Sequence, residues 1–495
     1  MAHRFQAPRG TRDLLPDDLA RWQWAEAQAR GVLDRYGYRE IRTPLFEEFE
    51  LFARTSGESS DVVQKEMYRF KDLGERDLAL RPEFTAGVMR AYLEHGLGGR
   101  GRVHRLWSMG PVFRYGRPQK GRYRQFSQLN CELVGSPAPG TDVEMIALFV
   151  DLYEAWGFRD LTVVLNSVGQ PASRRAFGEA LREWFKPLVR WLSQDSKRRL
   201  DLNPIRVLDA KDVRDFDVAY VLENVDGIKG LLKKSSPLHL AEVFASDELK
   251  AIFKSGVGPG VWLAPNELEP FRDDVLRAYS RPKPKLLEFI DAEDRAHWKA
   301  VRAGLDAVGI AHEVDDGLVR GLDYYTRTAF EVHDRTLGAQ SALGGGGRYD
   351  GLIEELGGPP TPGVGFAIGL DRALMVLEGR GTAVPEPPAG VYVAAMEATQ
   401  TAALRLAREL RRSFPVDFDV EGRGFGAQMK AAGRSGARLL VIVGEEEWQR
   451  GEVVVKDLAD GTQETRARAD LEDALRVRLA RAPGGPGGTR RTERP

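Results

Sequence analysis

Arg114, Arg117, Lys120, Arg122 and Arg124 fall within eleven residues of the stretch FRYGRPQKGRYRQFSQLNCELVG, in a chain whose formal net charge is −1. A local cationic cluster in a near-neutral chain draws an anion to one place instead of coating the whole surface. The residues that follow alternate, with Phe126, Leu129, Cys131, Leu133 and Val134 among polar neighbours, which is strand behaviour. The pattern predicts a hairpin whose basic turn and strands hold something polyanionic. A solvated loop with scattered charges is the competing reading. Gln128, Asn130 and Glu132 share one strand face, because side chains there repeat every two residues. Three more stretches carry groups capable of chemistry: RPEFT with Glu83 and Thr85, LVRGLDYYTRTAFEV with Arg320, and GGGGRYDGL with Tyr349.

The rest of the composition bounds the possibilities. A length of 495 residues suggests roughly three domains, and 42% hydrophobic with 29% charged residues is ordinary for a globular protein. The single Cys131 excludes an internal disulfide framework and a cysteine-built zinc site, and it suits a reducing compartment. The histidines show no HExxH or paired spacing, so no resident metal is expected. The N-terminus lacks the apolar core of a signal peptide, and no apolar run approaches the ~18 residues of a membrane span. A cytoplasmic chain with no membrane partner is the expectation.

The positioning elements follow from periodicity. DDLARWQWAEAQARGVLDRYGY repeats its apolar face at helical spacing and stops at Gly37. REIRTPLFE reads as a strand interrupted by Pro44, hence an edge or an interface. DLALRPEFTAGVMRAYLEHG is a strand running into a helix, with Arg81 and Glu83 at the junction. VHRLWSMGPVFRYG and RQFSQLNCELVG form an antiparallel pair joined by the basic turn. TDVEMIALFVDLYEAWGF is a helix with Thr141 as its expected N-cap. Strands joined by hairpins with helices segregated predict an α+β fold.

Residues 1–169 form a first part of this domain, and 170–300 change to a mainly helical insertion. Strand-rich sequence resumes over 301–380. GRGTAVPEPPAG is a linker to an α/β alternation over 389–480, and residues 481–495 are expected to be disordered.

Three stretches, the hairpin, LVRGLDYYTRTAFEV and GVGFAIGLDRAL, together closely resemble the class II aminoacyl-tRNA synthetases, and within them the histidyl-tRNA synthetase family. GYREIRTPLFE resembles the class's first motif, a dimer-interface element. FRYGRPQKGRYRQFSQLNCE resembles its second and GFAIGLDR its third, while RGLDYYTRT and GGRYDGL resemble the stretches peculiar to the histidine enzymes. The resemblance covers nearly the whole chain. It implies an antiparallel-sheet catalytic domain with a helical insertion and a C-terminal anticodon-binding domain. It also implies ATP-dependent ligation of L-histidine to tRNA(His) through a histidyl-adenylate, by a homodimer, with Mg2+ accompanying ATP.

Such activation brings a carboxylate onto the α-phosphate of ATP, and positive charge must hold the two anions together. The resemblance implies Arg114 on the α-phosphate, Arg372 on the γ-phosphate, and Arg320 bridging α-phosphate and substrate carboxylate, so that Arg114 and Arg320 are the catalytic pair. Guanidinium suits all three because it is planar, always charged and bidentate. It further implies Glu83, Thr85, Gln128, Glu132, Tyr324, Tyr325 and Tyr349 as histidine ligands. Arg117, Gln119, Lys120 and Arg122 are implied to meet the tRNA acceptor end. The glycines at 344–347 would let backbone approach the substrate. Phe84 stands where many relatives carry Gly, and Ser127 where many carry His.

Two rivals stand against this reading. A regulatory synthetase-like paralogue of histidine biosynthesis shares the catalytic fold without aminoacylation. A dinucleotide-dependent oxidoreductase is suggested by VDFDVEGRGFGAQMKAA, a lone G-x-G-x-x-A between a strand and a helix. The extra sequence over 213–284 has no assigned role, and the face EGRGFGAQMKAAGRSGAR is poor in lysine, which leaves anticodon contacts unassigned.

Overall fold

A computed structural model describes residues 5–57, 60, 62–116, 123–208, 268–278, 282, 284–318, 324–340, 342–382 and 390–480. The chain divides into two compact units, Met1–Ala383 and Val384–Pro495.

In the first unit the strands are β1 (Arg39–Glu40), β2 (Phe46–Glu48), β3 (Arg69–Lys71), β4 (Asp77–Leu80), β5 (His104–Phe113) and β6 (Gln125–Val134). They continue as β7 (Leu161–Gly169), β8 (His312–Val314), β9 (Thr326–Asp334), β10 (Ala342–Arg348) and β11 (Gly363–Gly369). Eight of them make one sheet in the order β1-β5-β6-β11-β10-β9-β7-β8, and β2-β4-β3 make a small second sheet. Every inner pair of the large sheet is antiparallel, while the outermost pairs β1·β5 and β7·β8 are parallel. The expected hairpin is β5–β6, with Gly110 opposite Gln128 and Phe113 opposite Gln125.

The first-unit helices are α1 (Pro16–Arg35), α2 (Phe49–Ser56), α3 (Thr85–Glu94), α4 (Pro139–Ala155), α5 (Pro171–Phe185), α6 (Gln194–Leu202), α7 (Leu268–Ala278), α8 (Ala292–Ala307), α9 (Leu352–Glu355) and α10 (Leu370–Gly379). Pleating decides which face of the sheet they cover. On β6, Leu129, Cys131 and Leu133 join a core with α1, α4 and α8, in which Phe149 of α4 stacks on Phe366 of β11 at 4.4 Å. The alternate residues Gln128, Asn130 and Glu132 therefore face away from that core. The expected boundary at residue 300 falls inside α8, whose Trp298, Val301 and Leu305 pack into this sheet core.

Two local expectations are corrected. REIRTPLFE is not one interrupted strand: β1 and β2 belong to different sheets. The buried Arg81 guanidinium sets the break, donating to the carbonyls of Thr43 at 3.0 Å and Pro44 at 3.3 Å. Ala138, not Thr141, occupies the N-cap of α4, with Pro139 at the first helical position. The Thr141 hydroxyl donates to Ala138 O at 2.7 Å and accepts from Arg348 Nη2 at 2.7 Å.

α5 and α7 carry a separate apolar core with Phe177, Leu181, Trp184, Phe271, Val275 and Ile290. In the second unit, β12 (Val391–Ala395), β13 (Val416–Phe418), β14 (Leu439–Val443), β15 (Glu452–Asp457) and β16 (Gln463–Ala467) form a sheet in the order β13-β12-β14-β15-β16. Helices α11 (Gln400–Leu410) and α12 (Phe425–Ala432) connect its three parallel strands, the α/β alternation expected from the sequence. Among the described residues no helix is long and apolar enough to cross a membrane.

Candidate active site

The sheet face opposite α4 opens into a cavity of about 280 Å³. β6 contributes Gln128 and Asn130, the β4–α3 junction contributes Glu83 and Thr85, and Tyr324, Tyr325 and Tyr349 close other sides. Arg114, just beyond β5, lines it as well. Every described residue expected to bind histidine thus lies in this wall, except Glu132.

Glu132 lies beneath the wall. It is fully buried and accepts a hydrogen bond from the Tyr349 hydroxyl. Across the sheet it faces Gly365, where a Cβ would collide with its carboxylate. Burial pushes the Glu132 carboxyl up to about 8; the Thr85 and Tyr349 hydroxyls oppose this and the Glu83 charge adds to it. Glu83 is also raised, because burial outweighs its bonds from the Thr85 and Ala86 amides and the nearby Arg114 charge. Those amides open α3, so Glu83 fixes that helix end while facing the cavity.

Gln128 Oε1, Asn130 Oδ1 and Glu132 Oε1 are each buried without a hydrogen-bond donor among the described residues. Unpaired acceptors in a protein interior are costly, and a row of them on one strand face asks for a ligand rich in N–H groups. Successive residues on that face are spaced by about 6.6 Å. That is a span suited to a small amino acid with a polar side chain.

The arginines divide. Arg114 Nε donates to Pro82 O at 2.9 Å, and the guanidinium lies 5.6 Å from the Phe126 ring. Arg372 stands on the first turn of α10, three residues past the cavity-lining Gly369, and is not itself in the wall. Arg320, Arg117, Gln119, Lys120 and Arg122 lie outside the described residues. The glycine run is only partly available to a ligand. Gly344 and Gly345 line the cavity, whereas a Cβ on Gly347 would come within 2.7 Å of the Tyr325 ring, so that glycine serves packing.

Sequence reasoning left Asn130 without a role and missed Glu331 and Asp371. Glu331 lines the cavity and contacts His333 Nε2 at 3.0 Å. Asp371 accepts from the Ser127 amide at 2.7 Å and from Arg12 Nη2 at 3.0 Å, joining the hairpin to the start of α10. The available signal was position: Asn130 falls between two assigned residues on one strand face, and Asp371 precedes Arg372.

A hairpin and a strand-to-helix unit lying side by side over such a face place this chain in class II of the aminoacyl-tRNA synthetases. Comparison with known proteins narrows that class. The family model described as histidyl-tRNA synthetase matches residues 10–171 and 269–373, and the anticodon binding domain model matches 390–478. The chain belongs to the histidyl-tRNA synthetase family.

A histidine–tRNA ligase of Thermosynechococcus vestitus is 43% identical over 460 residues, covering 93% of each chain. One of a Synechococcus species is 44% identical, covering 94% of this chain and 97% of that one. The crystal structure of apo S. aureus histidyl-tRNA synthetase superposes with a TM-score of 0.70 at 32% identity, over 95% of this chain and 99% of that one. The anticodon-domain match displaces the dinucleotide reading of VDFDVEGRGFGAQMKAA.

Proposed function

We propose that this chain ligates L-histidine to tRNA(His) in two steps. The histidine carboxylate attacks the α-phosphate of ATP, forming histidyl-adenylate as pyrophosphate leaves. A hydroxyl at the tRNA 3′ end then attacks the adenylate carbonyl and AMP departs. The observation that carries this reading is the row of buried acceptors on β6, without a donor among the described residues, near Arg114. Glu83, Thr85 and Gln128 receive the ammonium end, while Glu132, oriented by Tyr349, takes an imidazole N–H between Tyr324 and Tyr325. Arg114 and Arg320 stabilise charge growing on the α-phosphate, and Arg372 holds the γ-phosphate. ATP would arrive as its Mg2+ complex, the ion supplying charge neutralisation on the phosphates. Arg117, Gln119, Lys120 and Arg122 meet the acceptor end, and the second unit takes the anticodon arm.

ATP–pyrophosphate exchange with each amino acid tests the assignment, and exchange driven by histidine alone is the expected result. The regulatory-paralogue alternative has less support, since residues 390–478 match an anticodon-binding module. The working form is a cytoplasmic homodimer. Its support is the apolar surface left open on the small sheet, where Phe46 and Phe70 are about half exposed with ring centroids 6.4 Å apart.

A further inference from the structure

Two side chains tie the start of α5 to the segment that carries Tyr324 and Tyr325. Arg174 Nη1, on the first turn of α5, donates to the Tyr325 carbonyl at 2.7 Å. The buried Asp294, on the first turn of α8, accepts from the Gln170 amide at 3.1 Å and from Arg327 Nε at 2.8 Å. Arg327 pairs with Glu293 as well.

This corner is conformationally unusual. Arg327 has φ +50°, a left-handed conformation that arginine rarely adopts, and its register partner Gly169 has φ +59°. A strained residue persists where its surroundings over-determine it, and here two carboxylates grip its guanidinium. The corner also has no slack. A Cβ on Gly169 would stand 2.9 Å from Ser173 Cβ of α5 and 3.3 Å from Ile290 Cγ2. Ile290 belongs to the separate α5–α7 core. Close-packed contacts transmit displacement instead of absorbing it.

We propose that Arg174 and Asp294 are positioning residues through which the α5–α7 core sets where Tyr324 and Tyr325 stand, and so sets histidine affinity. The inference rests on reading those tyrosines as walls of the histidine pocket. Because binding linkage is reciprocal, any partner that shifts α5 alters histidine affinity by the factor by which histidine alters that partner's affinity.

Arg174→Met and the milder Arg174→Lys, in the full chain, test the proposal. With Arg174→Met, histidine Kd is expected to rise about ten-fold, the loss of one hydrogen bond from a charged donor, while ATP Kd is unchanged. Amide exchange over 324–328 in the ligand-free chain should quicken, and Arg174→Lys should recover part of both effects. A merely structural role would weaken ATP and histidine together, and that result overturns the proposal. Unchanged exchange over 324–328 in both variants overturns the coupling itself. Faster exchange with unchanged histidine affinity removes the tyrosines from the pocket and the proposal with them. Histidine-specific pyrophosphate exchange would still stand in that case, which separates this failure from failure of the ligase assignment.

Discussion

The Tyr349 hydroxyl donates to Glu132 where neither side chain reaches solvent, and Glu132 keeps its second oxygen without a donor among the described residues. In the proposed complex, a ligand N–H completes the hydrogen bonding that the pair leaves half made. The cost falls on the unliganded fold and the benefit on the complex.

That asymmetry has a pH signature. The Glu132 carboxyl is raised from 4.5 to about 8 in the fold. Between those values the folded chain holds a proton that the unfolded chain has released, so stability falls as pH rises and levels off above about 8. The penalty is on the order of a few kcal/mol. Glu132→Gln keeps an acceptor for Tyr349 and lacks the titration. Its Tm should exceed that of the parent chain at pH 9, converge with it near pH 5, and be accompanied by loss of histidine-dependent pyrophosphate exchange. A Tm difference independent of pH would place the titrating group elsewhere. Calorimetry adds a second check: near pH 7, histidine binding should release a proton as Glu132 ionises to meet it.

Gly365 tests the same contact from the neighbouring strand. A Cβ there runs into the Glu132 carboxylate, which is a shape defect in a closed layer. Gly365→Ala should therefore weaken histidine binding by at least ten-fold and lower stability by about 1–3 kcal/mol. Urea melts and equilibrium dialysis measure the two effects, and wild-type affinity would mean that Glu132 does not face the ligand.

Removing residues 389–495 should reduce tRNA charging far more than adenylate formation. The reason is that every residue given a chemical role lies in the unit Met1–Ala383, which has its own core. Equal losses in the two assays would show that the second unit supports the active site.

The exposed pair on the small sheet makes a further commitment. Phe46→Asp places a charge on surface expected to be covered in a homodimer, and light scattering at micromolar concentration should report a shift toward monomer. A parent chain that is already monomeric under these conditions would remove the dimer.

Much of this was legible from local pattern. The alternation on β6 placed Gln128 and Glu132 on one face because strand geometry leaves no other choice. The strand-to-helix junction placed Glu83 for a similar local reason. What escaped was tertiary. Pro44 divides two sheets because Arg81, far along the chain, binds the consecutive carbonyls of Thr43 and Pro44. Helix α8 shows its apolar period plainly, yet its partner α4 lies some 150 residues earlier, so its periodicity could not say which core it joins. Asp371 was hidden for the same reason, since its meaning depends on the Ser127 amide.

Arg114 gives the sharpest test of the chemistry. Its Nε is held by Pro82 O at 2.9 Å and its guanidinium lies 5.6 Å from the Phe126 ring, so the group is oriented before substrate arrives. A preorganised donor aimed where charge develops acts on the transition state more than on the ground state. Arg114→Ala should therefore slow histidine adenylation by about 10²–10³, or roughly 3–4 kcal/mol, with histidine Kd nearly unchanged. Arg114→Lys should recover little, because an ammonium cannot keep the Pro82 contact and present a planar fork to phosphate. Arg320→Ala should behave alike if it shares the α-phosphate, and the double variant should then lose less than the product of the single losses. Single-turnover adenylation alongside equilibrium binding of histidine separates these effects. A variant of Arg114 whose only defect is histidine affinity would make it a ground-state clamp, and the catalytic role would pass from it.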